Sequence, residues 1–321
     1  MTLVVEYHDG GLGARLAREL ACPTLAHEMR SFPDGETYLR IDDEVAGCDC
    51  LVVADLSRAN TRILPLLLLA ATLRAQGAGS IGLIAPYLPY MRQDRAFRHG
   101  ESVSSRHFAE LISSHFDTLL TVDAHLHRYK TLAELYRIPA ANLSASALLG
   151  AWIAEHISAP VLFGPDAESR QWVADTAKML GCPWRVLEKS RQGDRLVEVR
   201  GAIDASLRGL TPVLIDDMIS TGSTLIEGSR LLQQAGFGKA RVLAVHGIFA
   251  ADSEARLRAA GLQDIVTSDS IPHPSNALGL APLTAAAGTP ATLSRIAISC
   301  ACDTELAKKR SASKPRSSGR S

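Results

Sequence analysis

Short apolar runs of strand length recur along this chain, and longer stretches with an apolar residue every three or four positions lie between them. Runs at 3–7, 50–54, 81–85, 118–122, 160–163, 185–187, 196–199, 213–215 and 241–247 predict strands. Segments 12–20, 63–76, 104–115, 145–156, 169–180, 225–234 and 253–260 predict helices. Strands that read as unbroken Val/Ile/Leu runs are covered on both faces, and a helix between two of them serves as the crossover of a parallel pair. The alternation predicts an α/β chain whose mostly parallel sheet is flanked by helices on both faces.

A chain of 321 residues is long enough for two domains of ordinary size. One order of events occurs twice. Leu51-Val-Val-Ala-Asp55, a helical stretch, a stop at Gly77 and the run 81–85 are echoed by Val213-Leu-Ile-Asp-Asp217, a helical stretch, a stop at Gly236 and the run 241–247. The echo predicts two similar lobes, 1–145 and 146–300. Residues 301–321 are rich in Ser, Lys and Arg and read as a disordered basic tail.

Lys+Arg and Asp+Glu balance at 34 each, so no global field draws the chain to nucleic acid or to an anionic membrane. The apolar run 63–73 is too short to span a bilayer, and the start, Met1-Thr-Leu-Val-Val-Glu6, lacks a basic leader. The expected location is cytoplasmic. The six cysteines, at 22, 48, 50, 182, 300 and 302, include two Cys-x-Cys pairs too tight for a zinc knuckle, and they read as reduced thiols.

Function is concentrated in Val213-Leu-Ile-Asp-Asp-Met-Ile-Ser-Thr-Gly-Ser-Thr224. An apolar strand ends in two acids, Asp216 and Asp217, and a small hydroxylated loop then opens a helix. Ser220, Thr221, Gly222, Ser223 and Thr224 offer N–H groups, hydroxyls and a helix N-terminus to a phosphate. The two carboxylates suit sugar hydroxyls or a Mg²⁺ ion. A capped turn would account for one acid and one hydroxyl, but not for two acids at the end of a buried strand.

Other segments carry chemistry in a weaker form. Ser31-Phe-Pro-Asp-Gly-Glu36 is a good turn, and its Phe32, Asp34 and Glu36 could equally hold a base. In Tyr90-Met-Arg-Gln-Asp-Arg95, Arg92 offers planar donation to a polyphosphate, with Gln93 and Asp94 to order it. Asp123-Ala-His125 and Gly164-Pro-Asp166 each follow an apolar run, and His125 with Asp166 makes a Mg²⁺ pair as readily as two satisfied core groups. His127 falls on the same side as His125 if the chain is extended. Runs 184–187 and 196–199 read as two strands joined by Glu188-Lys-Ser-Arg-Gln-Gly-Asp-Arg195, either a solvated hairpin tip or a basic flap. A Gly-x4-Gly-Lys-Ser/Thr loop and the protein-kinase signatures are both missing.

Taken together, Phe32-Pro-Asp-Gly-Glu36, Tyr90-x-Arg-Gln-Asp94, Asp123-x-His125, Pro165-Asp166, Lys189-x-Arg191 and the loop from Asp216 to Thr224 resemble the ribose-phosphate pyrophosphokinases over residues 1–300. The resemblance implies two phosphoribosyltransferase-like lobes, with ATP on the first and ribose 5-phosphate on the second. It implies transfer of the β,γ-diphosphate of ATP to the C1 hydroxyl of ribose 5-phosphate, giving 5-phosphoribosyl 1-diphosphate and AMP. By the same token Phe32, Asp34, Gly35, Glu36, Arg92, Gln93 and Asp94 bind ATP, and His125 and Asp166 bind Mg²⁺. Lys189 and Arg191 are catalytic cations, and Arg191, Asp216, Asp217 and residues 220–224 hold ribose 5-phosphate. Adenine sites shared between subunits imply a homo-oligomer.

The chain departs from the family pattern at Ser220, where many members carry Asp, and this hydroxyl form resembles the class III subgroup. Ala167-Glu-Ser169 replaces a Gly-rich continuation, and Arg98-His-Gly-Glu-Ser102 is less basic than elsewhere. The competing readings are a phosphoribosyltransferase, which needs only the second lobe, and an inactive regulatory paralogue.

Overall fold

The computed structural model describes residues 1–187, 189–192, 195–199 and 205–288, with the side chains of 189–192, 195–199 and 205 outside that description. The first half runs β1 (Thr2–Tyr7), α1 (Leu12–Glu19), β2 (His27–Ser31), β3 (Thr37–Ile41), β4 (Asp49–Ala54), α2 (Ala59–Ala75), β5 (Ser80–Ile84), α3 (Ser104–Ser113), β6 (Thr118–Val122) and β7 (Ala140–Leu143). After α4 (Ser146–His156) the second half runs β8 (Pro160–Gly164), α5 (Arg170–Leu180), β9 (Trp184–Val186), β10 (Lys189–Gln192), β11 (Arg195–Val199) and β12 (Thr211–Ile219). It continues through α6 (Ser223–Gln234), β13 (Arg241–Gly247), α7 (Ser253–Ala259), β14 (Gln263–Ser268), β15 (Asn276–Leu278) and α8 (Ala281–Ala286).

The strands form two parallel sheets of one topology. The first has the order β1-β4-β5-β6-β7 and the second β9-β8-β12-β13-β14-β15. Superposing the orders matches β1 with β8, β4 with β12 and β7 with β15. Where β8 carries the edge strand β9, β1 carries only a parallel bridge between Val4 and Thr24. Each half also holds an antiparallel ribbon outside its sheet, β2–β3 in the first and β10–β11 in the second. The two echoed segments thus sit on matching elements, β4-α2-β5 and β12-α6-β13.

A single apolar cluster draws on both sheets and on the helices between them. Val4, Leu51 and Val53 from the first sheet meet Leu149 and Ile153 of α4 and Val213, Ile215 and Leu243 of the second, all fully buried. Burying one such side chain is worth about 1.5–3 kcal/mol, so this shared layer fixes one sheet against the other. The outer faces close over clusters of their own, one in each half.

Two strand expectations are corrected. β12 does not end at Ile215 but runs to Ile219, so Asp216 and Asp217 lie within it and alternate in side. The partner of 195–199 is Lys189–Gln192 rather than 184–187, which forms the sheet edge β9. Lys189 and Arg191 therefore stand on a ribbon strand, which a polar segment with no apolar alternation cannot announce. Cys22, Cys48, Cys50 and Cys182 are free thiols, and burial pushes Cys50 up to about 11. The basic tail and the pair Cys300 and Cys302 lie outside the described residues. Among the described residues no helix is long and apolar enough to cross a membrane.

Candidate active site

β12 pairs with β8 only as far as Leu214, and beyond that point its other edge stays paired with β13. The last turnless stretch of β12 is therefore open on one flank. The connection after β8 leads out to β9, while that after β12 leads the other way to β13. Such a reversal leaves a crevice past the carboxyl ends of the two strands. A cavity of about 180 Å³ occupies it, lined by Arg92, His125, Asp166, Glu168, Asp216, Asp217, Met218 and residues 220–225.

The loop after β12 is shaped for an anion. Gly222 caps α6 at φ 72°, and a Cβ there would meet Leu257 Cδ2 at 3.0 Å, so both backbone and space demand glycine. The first-turn N–H groups of Thr224 and Leu225 have no carbonyl of their own helix to bond, and the 12-residue helix adds its dipole. Thr221 Oγ1 donates to Ser223 Oγ at 3.2 Å. From the first half, Arg92 Nη1 reaches Ser220 Oγ at 3.4 Å.

The paired acids differ in their surroundings. Asp217, only 4% exposed, faces His125, whose Nδ1 lies 2.5 Å from its Oδ2. Burial acts to raise Asp217, but the hydrogen bond and charge of His125 outweigh it and hold the carboxyl below its ordinary value. Asp216 is driven well above the usual carboxylate range by burial first, then by Asp217 and Asp166. Asp217 keeps the charge and Asp216 has the greater proton affinity.

Two more buried groups brace this region. Asp123, in the left-handed region at φ 38°, accepts from Ala145 N–H at 2.7 Å and the Trp172 indole at 3.0 Å. Burial nonetheless pushes it up to about 6. His246 on β13, fully enclosed, has Nε2 3.0 Å from the Val122 carbonyl and Nδ1 2.9 Å from Ser270 Oγ. Burial pushes it down to about 4, so its ring is neutral at ordinary pH.

The expected site residues separate into two sets. Arg92, His125, Asp166, Asp216, Asp217 and residues 220–224 line one cavity. Asp166 also caps the turn Ala167–Ser169, its Oδ1 accepting from the N–H groups of Glu168 and Ser169 at 3.0 and 3.3 Å. Phe32, Asp34, Gly35 and Glu36 form the turn of the β2–β3 ribbon, where Phe32 N–H donates to Glu36 O at 2.7 Å, and none of them lines the cavity. Gln93 and Asp94 also lie off it. Gln93 Nε2 is 3.4 Å from Glu101 Oε2, and Asp94 is buried 3.5 Å from Arg128. The side chains of Lys189 and Arg191 lie outside the described residues. Glu168 and Met218 line the cavity without having been expected there, and the sequence signal for Glu168 was the acid in Ala167-Glu-Ser169.

A parallel sheet with an acid pair and a glycine-broken phosphate loop at its switch point defines the phosphoribosyltransferase class of α/β domain. The family model for the phosphoribosyl transferase domain matches residues 132–267, and that for the N-terminal domain of ribose phosphate pyrophosphokinase matches 1–115. The chain is 35% identical over 273 residues to a ribose-phosphate pyrophosphokinase of Methanopyrus kandleri, covering 84% of this chain and 92% of that one. A second, from Methanosarcina mazei, is 34% identical over 278 residues, covering 86% and 91%. The crystal structure of phosphoribosylpyrophosphate synthetase from Mycobacterium smegmatis superposes with a TM-score of 0.77 at 28% identity, covering 89% of this chain and 96% of that one. The chain belongs to the ribose-phosphate pyrophosphokinase family. A plain transferase would leave the match over 1–115 without a role.

Proposed function

We propose that the chain transfers the β,γ-diphosphate of ATP to the C1 hydroxyl of ribose 5-phosphate in the cavity beside β12, releasing AMP. The observation that carries this reading is the meeting there of Arg92 from the first half with the acid pair and the phosphate loop of the second. Residues 220–224 hold the 5-phosphate through N–H groups and hydroxyls. Asp217, held ionised by His125, accepts the ribose hydroxyls together with Asp216. The anomeric oxygen attacks the β-phosphorus in line, and AMP leaves on the opposite side.

Four carboxylates and an imidazole face one guanidinium in this cavity, a balance that repels phosphates unless a cation joins them. That oxygen-rich donor set fits Mg²⁺. His125 and Asp166 would hold it, Asp166 through the oxygen its cap leaves over, and it would neutralise charge on the transferring group. Arg92 adds fixed positive charge on the ATP side, and Lys189 and Arg191, assigned from the family pattern, close over the diphosphate from the β10–β11 ribbon.

Phe32, Asp34, Gly35 and Glu36 stay off this cavity, so we infer that an adenine held by them belongs to a site completed by a second copy of the chain. Gln93 and Asp94 act by shaping the segment that presents Arg92. The test is phosphorus NMR of the products: a diphosphate ester on C1 together with AMP supports the assignment. A monophosphate ester together with ADP would overturn it.

A further inference from the structure

We propose that His125, His127 and Glu168 form a second cation site, selective for a transition-metal ion, where the active-site cavity meets a larger neighbouring one. That neighbour, of about 620 Å³, is lined by His127 and Glu168, and Glu168 lines the active-site cavity as well. One ligand atom from each of the three residues lies within 4.8 Å of the other two.

The geometry suits a metal better than it suits the side chains alone. The two imidazoles stand 3.8 Å apart at 48°, with His127 Nε2 only 3.3 Å from His125 Nδ1. The Nδ1 of His125 is already committed to Asp217 at 2.5 Å, so the histidine pair has no second good hydrogen bond to share. Two nitrogens bound to one tetrahedral Zn²⁺ at ~2.0–2.1 Å stand roughly 3.4 Å apart, close to the spacing seen. His127 Nδ1 lies 3.2 Å from Glu168 Oε1, which brings the carboxylate within a side-chain rotation of the same centre. His127 and Glu168 are exposed, so an ion can enter from solvent.

The chemistry of the donors sets the preference. Imidazole favours zinc, nickel and cobalt, whereas Mg²⁺ prefers carboxylates and water. The site is therefore distinct in kind from the Mg²⁺ position assigned to His125 and Asp166, and it arises from Glu168 and His127 together. Sharing His125 makes the two ions competitors for one ring, so a bound transition metal would act on the sugar-phosphate cavity from its edge.

The experiment uses the full chain, stripped with a chelator, in the absence of nucleotide and sugar phosphate. Zn²⁺ is titrated by calorimetry and Co²⁺ by its visible absorption. Expected is one saturable site per chain that excess Mg²⁺ does not empty. His127→Ala and Glu168→Gln, both at exposed positions, should each weaken it by about tenfold or more. Asp166→Asn and the pair Cys300→Ser/Cys302→Ser should leave it in place, separating it from the Mg²⁺ position and from the thiols. Unchanged affinity in both His127→Ala and Glu168→Gln, or displacement by Mg²⁺, or no saturable binding, would overturn the proposal. With no ATP or sugar present, failure here is distinguishable from failure of the proposed reaction.

Discussion

Trp172, on α5 of the second half, donates its indole N–H to the Asp123 carboxylate, just past β6 of the first, at 3.0 Å. The mirrored contact is also made: Arg15 on α1 donates to Asp269, just past β14, at 2.9 Å. Each acid further accepts a backbone N–H beyond the following strand, from Ala145 at 2.7 Å and Leu280 at 2.8 Å. Each lobe thus sends a helix to satisfy a carboxylate at the edge of the other's sheet. Trp172→Phe keeps the ring but leaves Asp123 short of a donor. We expect it to cost about 1–3 kcal/mol, read as a lower denaturant midpoint at unchanged slope.

His246 makes stability depend on pH. Its ring titrates near 4 in the folded chain against a model value of 6.5, so the folded state binds the proton less readily. The stability contributed by the neutral ring is present above pH 6.5 and is lost as pH falls through that value toward 4, by roughly 3 kcal/mol in all. Asp123, raised from 3.8 to about 6, has the opposite sign: its contribution is full below 3.8 and lost as pH rises through 6. His246→Gln should therefore abolish the acid-side loss and leave the Asp123 slope, visible in denaturant unfolding from pH 7 to 4. An unchanged pH profile in this variant would contradict the assignment.

Gly222→Ala places a Cβ 3.0 Å from Leu257 on a residue with φ 72°. Strain of about 1–3 kcal/mol is expected, together with a shifted α6 N-terminus. The kinetic consequence should fall on the sugar phosphate, with a KM for ribose 5-phosphate raised about tenfold or more and a smaller effect on the KM for ATP. Equal effects on both substrates would argue that the loop does not cradle the 5-phosphate.

Much of this arrangement was legible in the sequence, because the buried strands are continuous apolar runs. Val213, Leu214 and Ile215 announce β12 unmistakably, and the small loop after it reads directly as a helix start. The extension of β12 through Asp216 and Asp217 was hidden, since a strand that outruns its neighbour can carry acids without burying them unpaired. The ribbons were hidden as well: Glu28, Arg30 and Arg40 on β2–β3 pair with one another across an exposed face, which leaves no apolar alternation to detect. Nor could spacing alone bring His125 against Asp217, 92 residues away, because that contact exists only once the two sheets share a core.

Lys189→Ala should lower kcat by orders of magnitude while leaving the melting temperature nearly unchanged, since the residue stands on a ribbon outside both sheets. Near-normal turnover in this variant would remove Lys189 from the assigned chemistry without touching the roles of Asp216 and Asp217.

The central claim is that ATP and ribose 5-phosphate react together beside β12. Its most direct test is AMP release by the purified chain with ATP and Mg²⁺, measured with and without ribose 5-phosphate. The account predicts AMP formation that depends on the sugar phosphate and fails in Asp217→Asn. AMP that appears equally without the sugar phosphate, or no AMP with both substrates present, would contradict it.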